Sequence, residues 1–223
     1  MKQIPLAIAH DTARTFESFV TGPNAMAVAH LVGMQATSAP VYLWGPSGCG
    51  KTHLLHALAQ RFHQHGAQVG WFSAAEPAPW PHDEAHALIV LDDCDGFDTD
   101  QQQAAFSLFI DATARGVPLA CAGRVPPVDL PLRDDLRTRL GWGHVLAIQP
   151  LSEAETRAAL RREADRRGLF LSDEVMDYLL TRFMRDLKHL MALLDRLDEF
   201  ALVSKRAITV PLIRQMLAEE GPA

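Results

Sequence analysis

Val41-Tyr42-Leu43-Trp44-Gly45-Pro46-Ser47-Gly48-Cys49-Gly50-Lys51-Thr52 decides how this chain is read. Four residues of strand character run into a loop that fits G-x-x-x-x-G-K-[ST], and a helical pattern follows. Glycines at 45, 48 and 50 let the backbone curl so that successive N–H groups face phosphate oxygens, and the next helix adds its positive N-terminal end. Pro46, Ser47, Gly48, Cys49, Gly50, Lys51 and Thr52 then form the cradle. Lys51 would neutralise the β- and γ-phosphates, and Thr52 would offer its hydroxyl to Mg2+. A plain glycine-rich turn after a buried strand is the bland alternative, and the strand and helix on either side argue against it. The stretch implies a nucleoside di- or triphosphate ligand.

Working outward, strands are expected at 41–44, 68–73, 87–91, 117–122 and 144–148, and helices at 24–35, 51–65, 100–115 and 133–140. Strands alternating with helices imply a parallel sheet covered on both faces, a three-layer α/β core. Ala87-Leu88-Ile89-Val90-Leu91 is apolar throughout, as a central strand buried on both sides requires. After Pro150 only helices are expected. Ser152 caps the first, which Gly168 ends; Ser172 or Asp173 caps a second; a third covers 185–203; Thr209 and Pro211 open the last. The boundaries are a free terminal peptide at 1–10, a nucleotide-binding core at 11–149 and a helical lid at 150–223.

The strand 87–91 delivers Asp92 and Asp93. A carboxylate brought by a buried strand beside such a loop can hold Mg2+, the role given to Asp92; Asp93 is then placed to orient or deprotonate the attacking water. The alternative is that these residues merely open the turn Cys94-Asp95-Gly96. A calcium loop is excluded, because Leu91 and Gln102 fall where its first and last ligands belong.

Other clusters carry less. His82 and His86 lack the Glu that follows the first His of a zincin helix. His53, His56 and His63 read as packing or surface residues on the helix after the loop. The arginines at 157, 161, 162, 166 and 167 are interleaved with Glu153, Glu155, Glu163 and Asp165, a solvated salt-laced face. Cys49, Cys94 and Cys121 form no C-x-x-C pair, which argues for a reducing compartment and against structural zinc. The net charge is −6, so no global basic field draws the chain to nucleic acid.

Thr15-Phe16-Glu17-Ser18-Phe19-Val20-Thr21-Gly22-Pro23-Asn24, the phosphate loop, Leu91-Asp92-Asp93 and Arg139-Leu140-Gly141-Trp142-Gly143 together resemble the AAA+ module of the DnaA-type family. Met184-Arg185-Asp186-Leu187 is similar to that family's second sensor motif. The resemblance runs from about residue 14 to 217. The module starts almost at the first residue and the chain stops after the lid, so the initiator's helix-turn-helix domain is not expected. That pattern, with residues 135–150, resembles the family's regulatory branch, whose members inactivate the initiator. Gln3-Ile4-Pro5-Leu6-Ala7-Ile8 resembles the short peptide with which many bacterial proteins grip the replication sliding clamp, Gln3 hydrogen-bonding and Leu6 and Ile8 filling an apolar groove.

The resemblance implies roles. Arg139 would be an arginine finger acting in trans on a neighbour's ATP. Arg185 would reach the protein's own nucleotide. Phe16, Phe19 and Val20 would line the adenine pocket, supported by Asn24. Arg124 stands where the family's first sensor is polar, so weak or no intrinsic ATPase is expected. The implied activity is negative regulation of replication initiation in the cytoplasm, at the nucleoid. The partners would be DnaA and the β clamp of DNA polymerase III, with a homo-oligomer as a further prospect and DNA met mainly through the clamp. The nucleotide would be ADP or ATP, fixing the angle between core and lid. The rival is a self-hydrolysing, DNA-engaging AAA+ ATPase, an initiator paralogue or helicase loader. A small-molecule kinase ranks third, because it leaves the Arg139 segment unexplained.

Overall fold

The computed structural model describes residues 14–183 and 187–220. Five strands form one parallel sheet: β1 (Val41–Trp44), β2 (Gln68–Ser73), β3 (His86–Asp92), β4 (Leu119–Gly123) and β5 (His144–Ala147). Their order is β2-β3-β4-β1-β5. Helices α1 (Ala25–Gly33), α2 (Lys51–Gln64), α3 (Thr99–Arg115) and α4 (Asp134–Leu140) cover the sheet. Each strand and each of these helices begins and ends within two residues of its expected place.

Period-two alternation sorts β3 between two layers. Ile89 and Leu91 join the cluster that holds Leu108, Phe109 and Ala112 of α3 and Leu136 and Leu140 of α4. Leu88 and Val90 are equally buried but lie outside that cluster. They face the side where α2 packs on β2, β3 and β4 through the buried Leu54, Leu55 and Leu58. This is why the strand carries no polar residue between Ala87 and Asp92.

The described residues divide into two compact units. One comprises 14–21, 25–44 and 50–147; the other comprises 22–24, 45–49 and the C-terminal residues from 148 onward. The second is helical: α5 (Glu153–Arg166), α6 (Asp173–Arg182), α7 (Leu187–Ser204) and α8 (Val210–Glu220). Ser152 and Glu155 close a reciprocal capping box on α5, and the Ser172 hydroxyl accepts from the Val175 N–H at the start of α6. Leu160, Val175, Met176, Leu179, Leu194, Leu197, Ile213 and Met216 form the core of this unit.

The arginines of α5 are tied down differently from expectation. Glu163 does pair within the helix, with Arg166 at 2.6 Å and Arg167 at 2.7 Å. Arg157, Arg161 and Arg167, however, reach Asp177, Asp173 and Asp195 on α6 and α7. The face is solvated and salt-laced as the sequence reads, but several of its acids lie 12 to 28 residues downstream, on neighbouring helices.

Candidate phosphate site and arginine face

Gly50 sits at the N-cap of α2 with φ +102°, in the left-handed region, and a Cβ there would lie 2.6 Å from the Phe19 ring. Backbone angle and close approach both demand glycine. Lys51 and Thr52 open the helix, whose first turn carries no acidic residue, so the positive end of its dipole is not compensated from within the turn. Lys51 is only 7% exposed, rare for a lysine unless it is paired. In the second unit, the preceding loop turns on a bond from the Cys49 N–H to the Pro46 carbonyl.

Asp92 ends β3 and is buried. Burial raises its carboxyl above the ordinary range; a hydrogen bond with Thr52 opposes this, and the neighbouring Asp93 adds to it. Asp92 and Thr52 therefore form one cluster of hard oxygens, with the charge of Lys51 also acting on the carboxylate. That chemistry fits Mg2+, which takes one or two protein oxygens and keeps water and phosphate for the rest. Among the described residues there is no cluster of three or more His, Cys, Asp or Glu side chains able to cage a metal ion. Asp93 has φ +52° and is exposed; its N–H donates to Asp92 Oδ1 at 3.0 Å, and its carbonyl accepts from Gly96. Its backbone thus opens the turn, in a strained conformation of the kind that collects at functional sites.

Strand β4 lies between β1 and β3, with Gly123 opposite Trp44 and Cys121 opposite Leu91. The residue that follows it, Arg124, is thereby delivered between the end of the strand that feeds the phosphate loop and the end of the strand that carries Asp92. Its main-chain N–H donates to Asp95 Oδ1 at 2.9 Å and its guanidinium pairs with the other oxygen. Burial would raise the Asp95 carboxyl, but the bonds from Arg124 hold it below the ordinary range. Asp95 reads from sequence as a turn residue, so the arginine's engagement was not visible there.

Phe16, Phe19 and Val20 are half-buried in the segment that precedes α1. Thr15 and Ser18 bond each other, and His53 Nε2 lies 2.9 Å from the Thr15 carbonyl, which makes that nitrogen the donor. The His53 ring also packs at 5.4 Å from Phe19. Burial depresses the His53 pKa against the pull of the Thr15 carbonyl, with Arg14 lowering it further. His53, read from sequence as a packing residue, is the clip that fastens this segment to α2. Asn24 is buried; its amide donates to the Gln149 carbonyl at 3.0 Å and accepts from the Gln149 N–H at 2.8 Å. Asn24 thus ties the residues just before α1 to residue 149.

On α4, Arg133 pairs with Asp135 at 2.6 Å and Arg137 with Asp134 at 2.5 Å. Arg139 has no ion pair among the described residues; its guanidinium carbon lies 4.9 Å from the centre of the Trp142 ring. Gln3, Leu6, Ile8 and Arg185 lie outside the described residues.

A parallel sheet ordered β2-β3-β4-β1-β5, a phosphate loop after β1, a buried acid ending β3 and a helical unit after β5 define an AAA+ P-loop module. Domain III of the Thermotoga maritima replication initiation protein DnaA superposes with a TM-score of 0.79, at 18% identity over 94% of this chain and 97% of that one. AMPPCP-bound DnaA from Aquifex aeolicus gives 0.68, at 21% identity over 82% of this chain and 64% of that one. The Thermotoga maritima RuvB Holliday junction branch migration motor gives 0.61, at 16% identity over 86% and 64%. The model of the bacterial DnaA ATPase domain matches residues 10–76, and that of the Hda lid domain matches residues 153–217. The chain is a DnaA-related protein of the Hda type. No helix among the described residues is long and apolar enough to cross a membrane.

Proposed function

We propose that this protein is a negative regulator of replication initiation that binds an adenine nucleotide and stimulates ATP hydrolysis by DnaA through Arg139. The observation that carries the proposal is the state of Arg139. It is the one arginine of the α4 region without a carboxylate partner among the described residues, while Arg133 and Arg137 are each neutralised by an aspartate. A cation left without a carboxylate partner suits a phosphate supplied by another protein. The Hda-type lid and the DnaA-type core support DnaA as that protein.

In this reading residues 46–52 cradle the phosphates, with Lys51 supplying charge and Thr52 and Asp92 supplying oxygens for Mg2+. Phe16, Phe19 and Val20 form the adenine side, Arg185 reaches the nucleotide from the lid, and Gln3, Leu6 and Ile8 dock on the sliding clamp. The bound ADP or ATP is structural, and Asp93 contributes little turnover. The deciding experiment measures hydrolysis by ATP-loaded DnaA on clamp-loaded DNA, with the wild-type chain and with Arg139→Ala. The wild type accelerates it on the order of 10³-fold, as an arginine finger in trans can, and the variant does not. Equal rates from both would refute the finger.

The intact set Lys51, Thr52 and Asp92 favours one rival, a self-hydrolysing ATPase. It predicts turnover near 1 s⁻¹ or above for the chain alone, in the ordinary enzyme range.

A further inference from the structure

We propose that Trp142 is a positioning residue for Arg139, its indole face holding the guanidinium in place while leaving the hydrogen-bonding edge open to a phosphate on another molecule. This rests on the reading of Arg139 as a finger that acts in trans.

The argument begins with what a surface arginine does when left alone. Its long side chain samples many rotamers or falls onto a nearby carboxylate, and Asp134 and Asp135 are both close in sequence. Those two acids are taken by Arg137 and Arg133. A carboxylate partner would cancel the charge of Arg139 and occupy the very N–H groups a phosphate needs. An aromatic face does neither. It attracts the cation through the ring quadrupole, and the N–H donors lie around the rim of the planar guanidinium, away from the ring. The Arg139 guanidinium carbon lies over the Trp142 ring, 4.9 Å from its centre, within the range of that attraction.

Trp142 is itself fixed from both sides. Its main-chain N–H donates to the Arg139 carbonyl at 3.1 Å, so its backbone is set one tight turn from Arg139. The next residue, Gly143, passes so close to Pro40 that a Cβ would lie 1.8 Å from the Pro40 carbonyl oxygen. The His144 N–H then donates to that same carbonyl at 2.8 Å, opening β5. An anchored turn on one side and an anchored strand on the other fix the main chain from which the indole projects. Yet the side chain is 60% exposed, so burial of a core does not account for a tryptophan here. The sequence Gly141-Trp142-Gly143 thus encodes a surface ring at a set distance from Arg139.

The test compares wild type, Trp142→Ala, Trp142→Phe, Arg139→Ala and the Arg139→Ala/Trp142→Ala double variant in DnaA hydrolysis on clamp-loaded DNA, titrating each to saturation. Trp142→Ala should lower the maximal stimulated rate about two- to fivefold, the worth of an exposed cation–π contact, with an unchanged melting temperature. Trp142→Phe should restore most of the loss, and Trp142→Ala should add nothing in the Arg139→Ala background. The Trp142 fluorescence, taken as the difference from Trp142→Phe, should change in Arg139→Ala. Should Trp142→Ala melt early, Trp142→Leu, bulky but without a π face, carries the same expectation. An undiminished maximal rate, a loss confined to the half-saturating concentration, or an equal loss in both backgrounds would overturn the positioning role while leaving the finger intact. Full stimulation by Arg139→Ala would overturn the functional reading and this inference with it.

Discussion

Arg124 grips Asp95 twice, once through its main-chain N–H and once through its guanidinium. The two residues are not equivalent: the Arg124 side chain is 66% exposed and that of Asp95 only 9%. Removing the arginine's side chain deletes an exposed cation and leaves the main-chain bond, so Arg124→Ala should change stability little. Asp95→Ala removes the main-chain bond as well and should cost more, about 0.5–1.5 kcal/mol. Urea titration of both variants checks the order. Because the guanidinium is engaged with Asp95, Arg124→Ala should also bind ADP nearly as well as wild type. Lys51→Ala, by contrast, should lose at least about tenfold in affinity for ADP and ATP, since hydrogen bonds to a charged group are worth about 1.5–3 kcal/mol each; calorimetry reads both. The phosphate loop was legible in sequence because a fixed spacing specifies it, and Asp92 because an unbroken apolar strand runs into it. The Arg124–Asp95 pair and the His53–Thr15 clip were not, since 29 and 38 residues separate the partners and no local spacing records such a pairing.

At the level of elements, periodicity and caps placed the strands and helices, and the sheet order explains why the site assembles. Parallel strands all deliver their C-terminal ends to one edge, and inserting β4 between β1 and β3 sets Arg124 between the phosphate loop's strand and Asp92. What local pattern could not reveal is how the lid helices lock together. Glu163 shows the consequence. Arg166 chiefly, and Arg167 against the effect of burial, hold its carboxyl down to about 2 from an ordinary 4.5. A depressed carboxylate contributes stability that is present above the unfolded value and lost as pH falls through the folded one. The lid should therefore weaken progressively between about pH 4.5 and pH 2. Glu163→Gln should remove that dependence and cost about 1 kcal/mol at neutral pH, a modest figure because the Arg166 arm is half exposed and screened. Melting curves of both proteins across that pH range test it; parallel curves would contradict the assignment.

For the whole molecule, the proposal joins two devices with different physics, and concentration separates them. A terminal peptide that grips the clamp creates no chemistry; it raises the local concentration of Arg139 near DnaA on the same DNA, an effect that can reach the millimolar range for short flexible tethers. An arginine finger acts on the transition state itself and is indifferent to how it arrived. Deleting residues 1–8 should abolish capture by purified clamp and should abolish stimulation of DnaA at low protein concentration. Raising the concentration of the truncated protein should bring stimulation back, because Arg139 and Trp142 are untouched. Arg139→Ala should behave the opposite way: it should be captured by clamp, bind ADP and melt like the wild type, since no ion pair within the described residues depends on that side chain. No concentration of it should accelerate hydrolysis. If the truncated protein stays inactive at every concentration, residues 1–8 do more than tether, and the clamp must reorient the module as well as recruit it.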